Sequence, residues 1–285
     1  MEYSGLYSLI RALTEKRKMH ISVHDVSGVL RYAPLSLPQK YKIHSKPFCD
    51  TAKSTVKGFE LCMRCKTRAN RRAVAKKDPF SGLCPFGLYE YALPVVMNGS
   101  VICIIYAGNA VADREKSLGK LSKASRFTGV DSKLLKNALS GAEFIYDAES
   151  LINSAKAVES YIKLVLSQKG ALSESTDKNW RVHEIKEYIR ANYTRSITLK
   201  QLAALYFVNE KYLGRLFRRE TGLTVKQFIN ARRLEKAEGE LISTKKSVID
   251  IALDAGFSNV TYFNRLFFLK HSVSPSYYRL THSDR

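Results

Sequence analysis

Asn259-Val-Thr-Tyr-Phe-Asn-Arg-Leu-Phe267, set between Val248-Ile-Asp-Ile-Ala252 and Ser272-Val-Ser-Pro-Ser-Tyr-Tyr278, decides the fold, because the chain has already used the same pattern once. About 50 residues earlier stand Leu199-Lys-Gln-Leu-Ala203, Asn209-Glu-Lys-Tyr-Leu-Gly-Arg-Leu-Phe217 and Gly222-Leu-Thr-Val-Lys-Gln-Phe228. An internal repeat of this kind is one supersecondary unit used twice.

In each copy a helix is expected to end, a short turn to follow, and Asn209 or Asn259 to accept hydrogen bonds from the free amides of the next helix, since Asn is a favoured N-cap. Behind the caps, Tyr212, Leu213, Leu216 and Phe217 recur as Tyr262, Phe263, Leu266 and Phe267. The i, i+1, i+4, i+5 spacing predicts one apolar face per helix, with Arg215 and Arg265 outside it. Two helices joined by a tight turn, the second with a basic exposed face, fit a helix-turn-helix whose second helix enters the major groove.

Residues 180–280 resemble the DNA-binding domain of the AraC family of bacterial transcription regulators. The second copy carries the signature Ile251-Ala252, Gly256-Phe257-Ser258, Tyr262-Phe263, Arg265, Phe267, Pro275 and Tyr278-Arg279, and Lys226 to Leu241 matches the long helix that joins the two units. The resemblance implies that the helix after Asn209 presents Lys211, Gly214, Arg215 and Arg218 to double-stranded DNA, and the helix after Asn259 presents Thr261, Asn264 and Arg265. Both helices would enter adjacent grooves roughly 34 Å apart. Two departures stand out: Phe268-Leu269 replaces a basic pair common in the family, and Ser272 replaces the usual glycine of the following turn, which predicts fewer phosphate contacts and an altered turn.

Upstream, residues 167–179 are small, polar and without hydrophobic periodicity, and read as a linker. Before them, Glu149 to Gln168 places Leu151, Ala155, Val158, Ile162 and Val165 at alternating spacings of four and three, a narrow stripe. It suits pairing with a second copy in a homodimer or packing on its own domain. The boundaries that follow are a sensory domain at 1–148, a connecting helix and linker at 149–179, and a DNA-binding domain at 180–285.

The N-terminal part mixes signals. Ile21 to Asp25 and Gly28 to Leu30 alternate across an Asp-Val-Ser-Gly turn, which predicts a hairpin, and Asn98-Gly99 between Tyr89 to Val96 and Val101 to Tyr106 predicts a second. Helical stretches fall near residues 4–17 and 53–77. The fold class expected is α+β: a PAS-like mixed sensor domain with an antiparallel sheet, followed by an all-α domain with two helix-turn-helix units.

Cys49, Cys62-Met-Arg-Cys65 and Cys84-Pro-Phe-Gly-Leu-Tyr-Glu90, followed by Pro94, Gly99 and Gly108, resemble the PocR sensory domain. That resemblance implies a small-molecule effector of the diol or hydrocarbon-derivative class. In the Cys84 to Glu90 segment, Gly87 would let backbone approach a ligand closely, Tyr89 offers a hydroxyl and Glu90 a charged acceptor. The four thiols Cys49, Cys62, Cys65 and Cys84 could instead hold a tetrahedral zinc, could pack as buried structural thiols, or could act as a redox sensor through Cys62 and Cys65, whose pKa would fall beside Arg64 and Lys66. Cys103, between Ile102 and Ile104, belongs to the core.

The whole chain, 285 residues with a formal charge of +21 and 45% hydrophobic residues, is a folded protein that favours polyanions rather than a disordered basic tail. The longest apolar stretch, Val101 to Gly108, is too short to span a membrane, the start lacks a secretion signal, and five cysteines without an export signal suit a reducing, cytoplasmic setting. No GxxxxGK[ST], GxGxxG or HExxH is present and the six histidines are scattered, so no enzyme is expected. The basic run from Lys53 to Lys77, with Arg64, Arg68, Arg71 and Arg72, reads most simply as a solvated helix face, and alternatively as a surface that neutralises DNA phosphates or docks on the other domain. The function expected is a one-component regulator: a small molecule in the N-terminal domain shifts a DNA-binding or RNA polymerase-contacting arrangement.

Overall fold

The computed structural model describes residues 4–43, 46–145, 148–168 and 179–282. It divides into two compact units, Met1–Arg181 with Ala204–Phe207, and Val182–Ala203 with Val208–Arg285. Most of the expected linker, residues 169–178, lies outside the described residues.

The first unit runs α1 (Gly5–Thr14), β1 (His20–Asp25), α2 (Pro47–Ala52), α3 (Val56–Lys76), β2 (Phe80–Leu83), β3 (Tyr89–Met97), β4 (Ser100–Val111), α4 (Arg114–Thr128), α5 (Ser132–Leu139), β5 (Glu143–Phe144) and α6 (Glu149–Gln168). The strands form one sheet in the order β1-β4-β3-β2, antiparallel throughout, with β5 pairing parallel to the end of β4. Strand β4 is buried on both faces, which is why its sequence is a nearly continuous apolar run. Cys103, Ile105 and Ala107 face the core built with α1 and α6, whereas Ile104 and Tyr106 face a second cluster with Ala73 of α3.

Asn98 and Gly99 make the expected two-residue hairpin turn, both at positive φ (48° and 74°), as a type I′ turn requires. The other expected hairpin does not form. β1 pairs with β4, His20 opposite Gly108, and residues 29–31 turn into a 3-10 helix. The cause is Asp25: its carboxylate accepts from the backbone N–H groups of Gly28, Val29 and Leu30 at 2.7, 3.1 and 3.0 Å, which ends the strand and holds the chain in a tight turn.

The stripe on α6 packs on its own unit. Leu151, Ala155, Val158 and Ile162 are fully buried against Leu6 and Ile10 of α1 and Ile105 of β4. Its apolar face covers the sheet of its own unit, the second of the two packings that the stripe allows.

The second unit is built from helices, the first residues of α7 and the end of α8 falling in the first unit: α7 (Trp180–Asn192), α8 (Leu199–Leu205), α9 (Glu210–Thr221), α10 (Val225–Ser243), α11 (Val248–Asp254), α12 (Val260–His271) and α13 (Pro275–His282). The pairs α8–α9 and α11–α12 are the two helix-turn-helix units, and α10 joins them. Asn209 accepts from the N–H groups of Lys211 and Tyr212 at 2.9 and 3.2 Å, and Asn259 from that of Tyr262 at 2.8 Å, so both helices are capped as their sequences predict.

The repeat is less symmetric inside. Tyr262 is half-buried because Asn230, itself buried on α10, donates to its hydroxyl at 3.0 Å, whereas Tyr212 is 45% exposed and leaves the apolar face to Leu213, Leu216 and Phe217. Two arginines staple equivalent places. Arg233 donates to the carbonyls of Tyr193 and Arg195, and Arg279 to those of Leu241 and Lys246, so the signature Arg279 is a structural residue.

At the end of α12 the turn survives the missing glycine. Ser272 takes φ 59°, ψ 11°, as Gly222 takes φ 72° at the end of α9, and its N–H still reaches the Phe268 carbonyl at 2.7 Å. A left-handed conformation costs a residue with a Cβ about 1–2 kcal/mol. Ser272→Gly should therefore stabilise the second unit by roughly 1 kcal/mol, less the chain entropy glycine adds, read as a melting temperature higher by a few degrees; a lower one would show that the serine side chain holds the turn.

Candidate functional site

Each unit carries one candidate site. On the second unit, α9 exposes Lys211, Arg215 and Arg218, and α12 exposes Thr261, Asn264 and Arg265. Spacings of three and four place each trio on one face of its helix, opposite the buried Leu213, Leu216 and Phe217, or Phe263 and Phe267. The Arg265 guanidinium lies 5.5 Å from the centre of the Tyr262 ring, which holds it near the N-terminal end of α12. Phe268 and Leu269 are 57% and 71% exposed, so the positions without basic residues do present apolar side chains to solvent.

On the first unit, α2, α3, the 84–88 turn, β3 and β4 surround a cavity of about 40 Å³. Cys49, Cys62, Cys65 and Cys84 all line it, so the structure brings together the four thiols that the sequence singles out. Yet among the described residues no group of three or more His, Cys, Asp or Glu side chains is arranged to hold a metal ion, so the expected tetrahedral zinc site is not formed. The expected acidic thiol is corrected too. Burial pushes the Cys49 thiol up to about 12 and raises Cys65 and Cys84, with the Glu90 carboxylate adding to each rise. Protonated thiols are poor nucleophiles, so the raised Cys65 thiol does not support the redox reading.

The charged side chains lining the cavity are Glu90, from β3, Lys66, from α3, and Lys46, just before α2, and the His20 ring of β1 lines it as well. Lys66 is 8% exposed; its Nζ lies 3.6 Å from Glu90 Oε2 and 3.4 Å from the centre of the Tyr106 ring. The Tyr106 hydroxyl in turn donates to Asn70 Oδ1 at 2.7 Å. Glu90, Cys65 and Cys84 also border an open cleft of about 210 Å³ whose outer rim includes Arg68 and Arg72. Glu90 thus stands between the inner cavity and solvent. The exposed Arg64, Arg68, Arg71 and Arg72 make the solvated face expected of α3.

Of the three residues expected to meet a ligand, the structure brings only Glu90 to the cavity. Tyr89, its neighbour on the strand, points to the opposite face and packs on the core shared with α1 and α6. Gly87 serves packing against α4: a Cβ there would lie 2.4 Å from the Ser117 carbonyl oxygen, and the Ser117 hydroxyl donates to the Gly87 carbonyl at 2.7 Å. Sequence reasoning missed Lys66 and Asn109. The available signals were a lysine directly after the CxxC pair and an asparagine inside an apolar strand.

Residues 5–170 match the family described as the sensory domain found in PocR, and residues 202–281 match the family described as a helix-turn-helix domain. The chain is similar to the regulatory protein PocR of Salmonella typhimurium, 23% identical with 82% of each chain covered. It is also similar to the melibiose operon regulatory protein of Escherichia coli K12, 34% identical over 38% of this chain and 35% of that one. Among solved structures, the C-terminal domain of AraT, a response regulator from Geobacillus stearothermophilus, is 29% identical, with 37% of this chain and 88% of that one covered, at a TM-score of 0.36.

Proposed function

The chain belongs to the family defined by the sensory domain found in PocR, here joined to an AraC-type helix-turn-helix domain, and from that membership we propose how the regulator is controlled. A small hydroxylated molecule occupies the cavity of the first unit and shifts the chain between arrangements that differ in affinity for DNA or for RNA polymerase. Such a ligand acts only through its different affinities for the two arrangements.

The observation that carries this reading is the Glu90–Lys66 pair at the wall of a cavity whose other lining is mostly apolar side chains and thiols, with His20, Lys46 and Asn109 also lining it. A pocket with a few fixed polar groups is the usual form of a small-molecule site. Its size limits the ligand: one water needs about 10–15 Å³ on this measure, so about 40 Å³ admits roughly three such groups. A two- or three-carbon diol is of that order. Glu90 accepts a ligand hydroxyl beside the Lys66 ammonium.

On the second unit, Arg215 and Arg265 make forked contacts to guanine edges in neighbouring major grooves. Lys211 and Arg218 contact phosphates, and Thr261 and Asn264 meet base edges beside Arg265. No helix among the described residues is long and apolar enough to cross a membrane, and the charge of +21 is directed to the DNA polyanion.

Glu90→Gln tests the ligand site. It removes the acceptor charge and leaves Lys66 without this partner, so a lower melting temperature of the first unit is expected along with loss of the stabilisation by propane-1,2-diol. A saturating ligand at about 100 times its Kd stabilises by about 2.7 kcal/mol. If Glu90→Gln keeps the parent's diol-induced shift, the carboxylate is not the acceptor and the assignment fails.

A further inference from the structure

Asn109 sits in a place that the sheet has been distorted to make. Tyr89 pairs with Ala110 and Glu90 with Gly108, so Asn109 is the extra residue of a β-bulge in β4, directly across from the wall that carries Glu90. Bulges beside functional sites re-aim a side chain. Asn109 adopts φ 63°, a conformation that Asn tolerates better than most residues, and Gly108 lets Glu90 close on the bulge: a Cβ at 108 would lie 2.8 Å from Glu90 Cγ.

The side chain of Asn109 is 6% exposed and lines the cavity. Its Nδ2 group donates to the carbonyls of Lys18 at 2.9 Å and Gly141 at 3.4 Å, neither of which lines the cavity. Two carbonyl acceptors fix the amide's orientation, because the flipped amide would set oxygen against oxygen. Oδ1 is left buried without a hydrogen-bond partner among the described residues. A buried acceptor in that state costs about 1–3 kcal/mol, so the site is built for a donor that arrives with the ligand.

We infer that Asn109 is a specificity-determining residue that accepts a hydrogen bond from the second hydroxyl of a diol whose first hydroxyl is bound by Glu90. The inference rests on the reading of this cavity as the effector site. With two acceptor side chains lining one cavity from adjacent strands, the preferred ligand carries two donors on neighbouring carbons. A mono-alcohol that donates to Glu90 leaves the Asn109 oxygen buried and unmet, and a site built to bond hydroxyls discriminates strongly against analogues that lack them.

The test uses the full chain and calorimetric or thermal-shift titration with propane-1,2-diol, propan-1-ol and propan-2-ol. The parent should bind the diol at least about tenfold more tightly than either mono-alcohol. Asn109→Gly, which takes the bulge conformation freely, should lose most of the preference over one of them while Glu90 maintains that over the other. A parent that binds either mono-alcohol as tightly as the diol overturns the inference without any variant, and so does a folded Asn109→Gly protein with the parent's full preference. If the Asn109→Gly protein does not fold, the parent's ranking of the three ligands decides. A parent to which none of the three binds defeats the effector reading itself, and the inference with it.

Discussion

Val158→Lys should unfold the first unit. The side chain is fully buried between α1 and the sheet, in the same cluster as Ile105 and Ile162. Burying a valine contributes about 1.5–3 kcal/mol, and lysine in its place must either bring an uncompensated charge into the core or open the helix to water. The sum is a large share of the stability of an ordinary domain, about 5–15 kcal/mol. The expected result is loss of the first unit's cooperative melting, with α7–α13 retaining a separate transition. A variant that melts as the parent does but has lower mass in sedimentation would show that the α6 stripe is an intermolecular seam after all.

Arg265→Ala and Arg215→Ala should each weaken specific DNA binding by about 1–3 kcal/mol and relax selectivity at one base position. Both residues are exposed on capped helices whose opposite faces are core, so neither change should lower the melting temperature of the second unit. Arg218→Ala, in the last turn of α9, should weaken specific and random DNA alike and lower the salt dependence by about one counterion. Equal losses on both DNAs for Arg265→Ala would make it a phosphate contact.

The second unit was legible because its information is local. A repeat, two Asn caps and a 3.6-residue apolar period each act within a few residues, and all of them reappear in α9 and α12 as read. What failed there needed a distant partner: Asn230 decides that Tyr262, and not Tyr212, is drawn inward. The first unit was legible only in part for the same reason. The Asn98-Gly99 turn is local and was found, while the pairing of β1 with β4 joins residues about 80 positions apart, and only the carboxylate of Asp25 reveals why the nearer hairpin is refused.

The candidate effector site shows the same division. Glu90 was found because it lies in a recognisable segment with the cysteines, and Tyr89 was misassigned because period-two alternation sends adjacent residues to opposite faces of a sheet whose two faces are both buried. Lys66 was hidden in a basic helix whose other cations are solvated, and its burial is a product of Tyr106 and Glu90 arriving from another part of the chain. Asn109 was invisible as a site because a bulge is a property of two strands in register, not of one.

The central claim is that a small ligand in the first unit controls DNA binding by the second, and linkage gives it a direct test. The affinity of the full chain for a DNA site selected from a random pool should be measured at fixed salt, with and without propane-1,2-diol at a concentration that saturates its thermal shift. The expected result is a changed Kd, by about 5–150-fold for a coupling of the usual 1–3 kcal/mol, and the same factor in the diol affinity when DNA is saturating. The same DNA affinity with the diol bound and absent would contradict it.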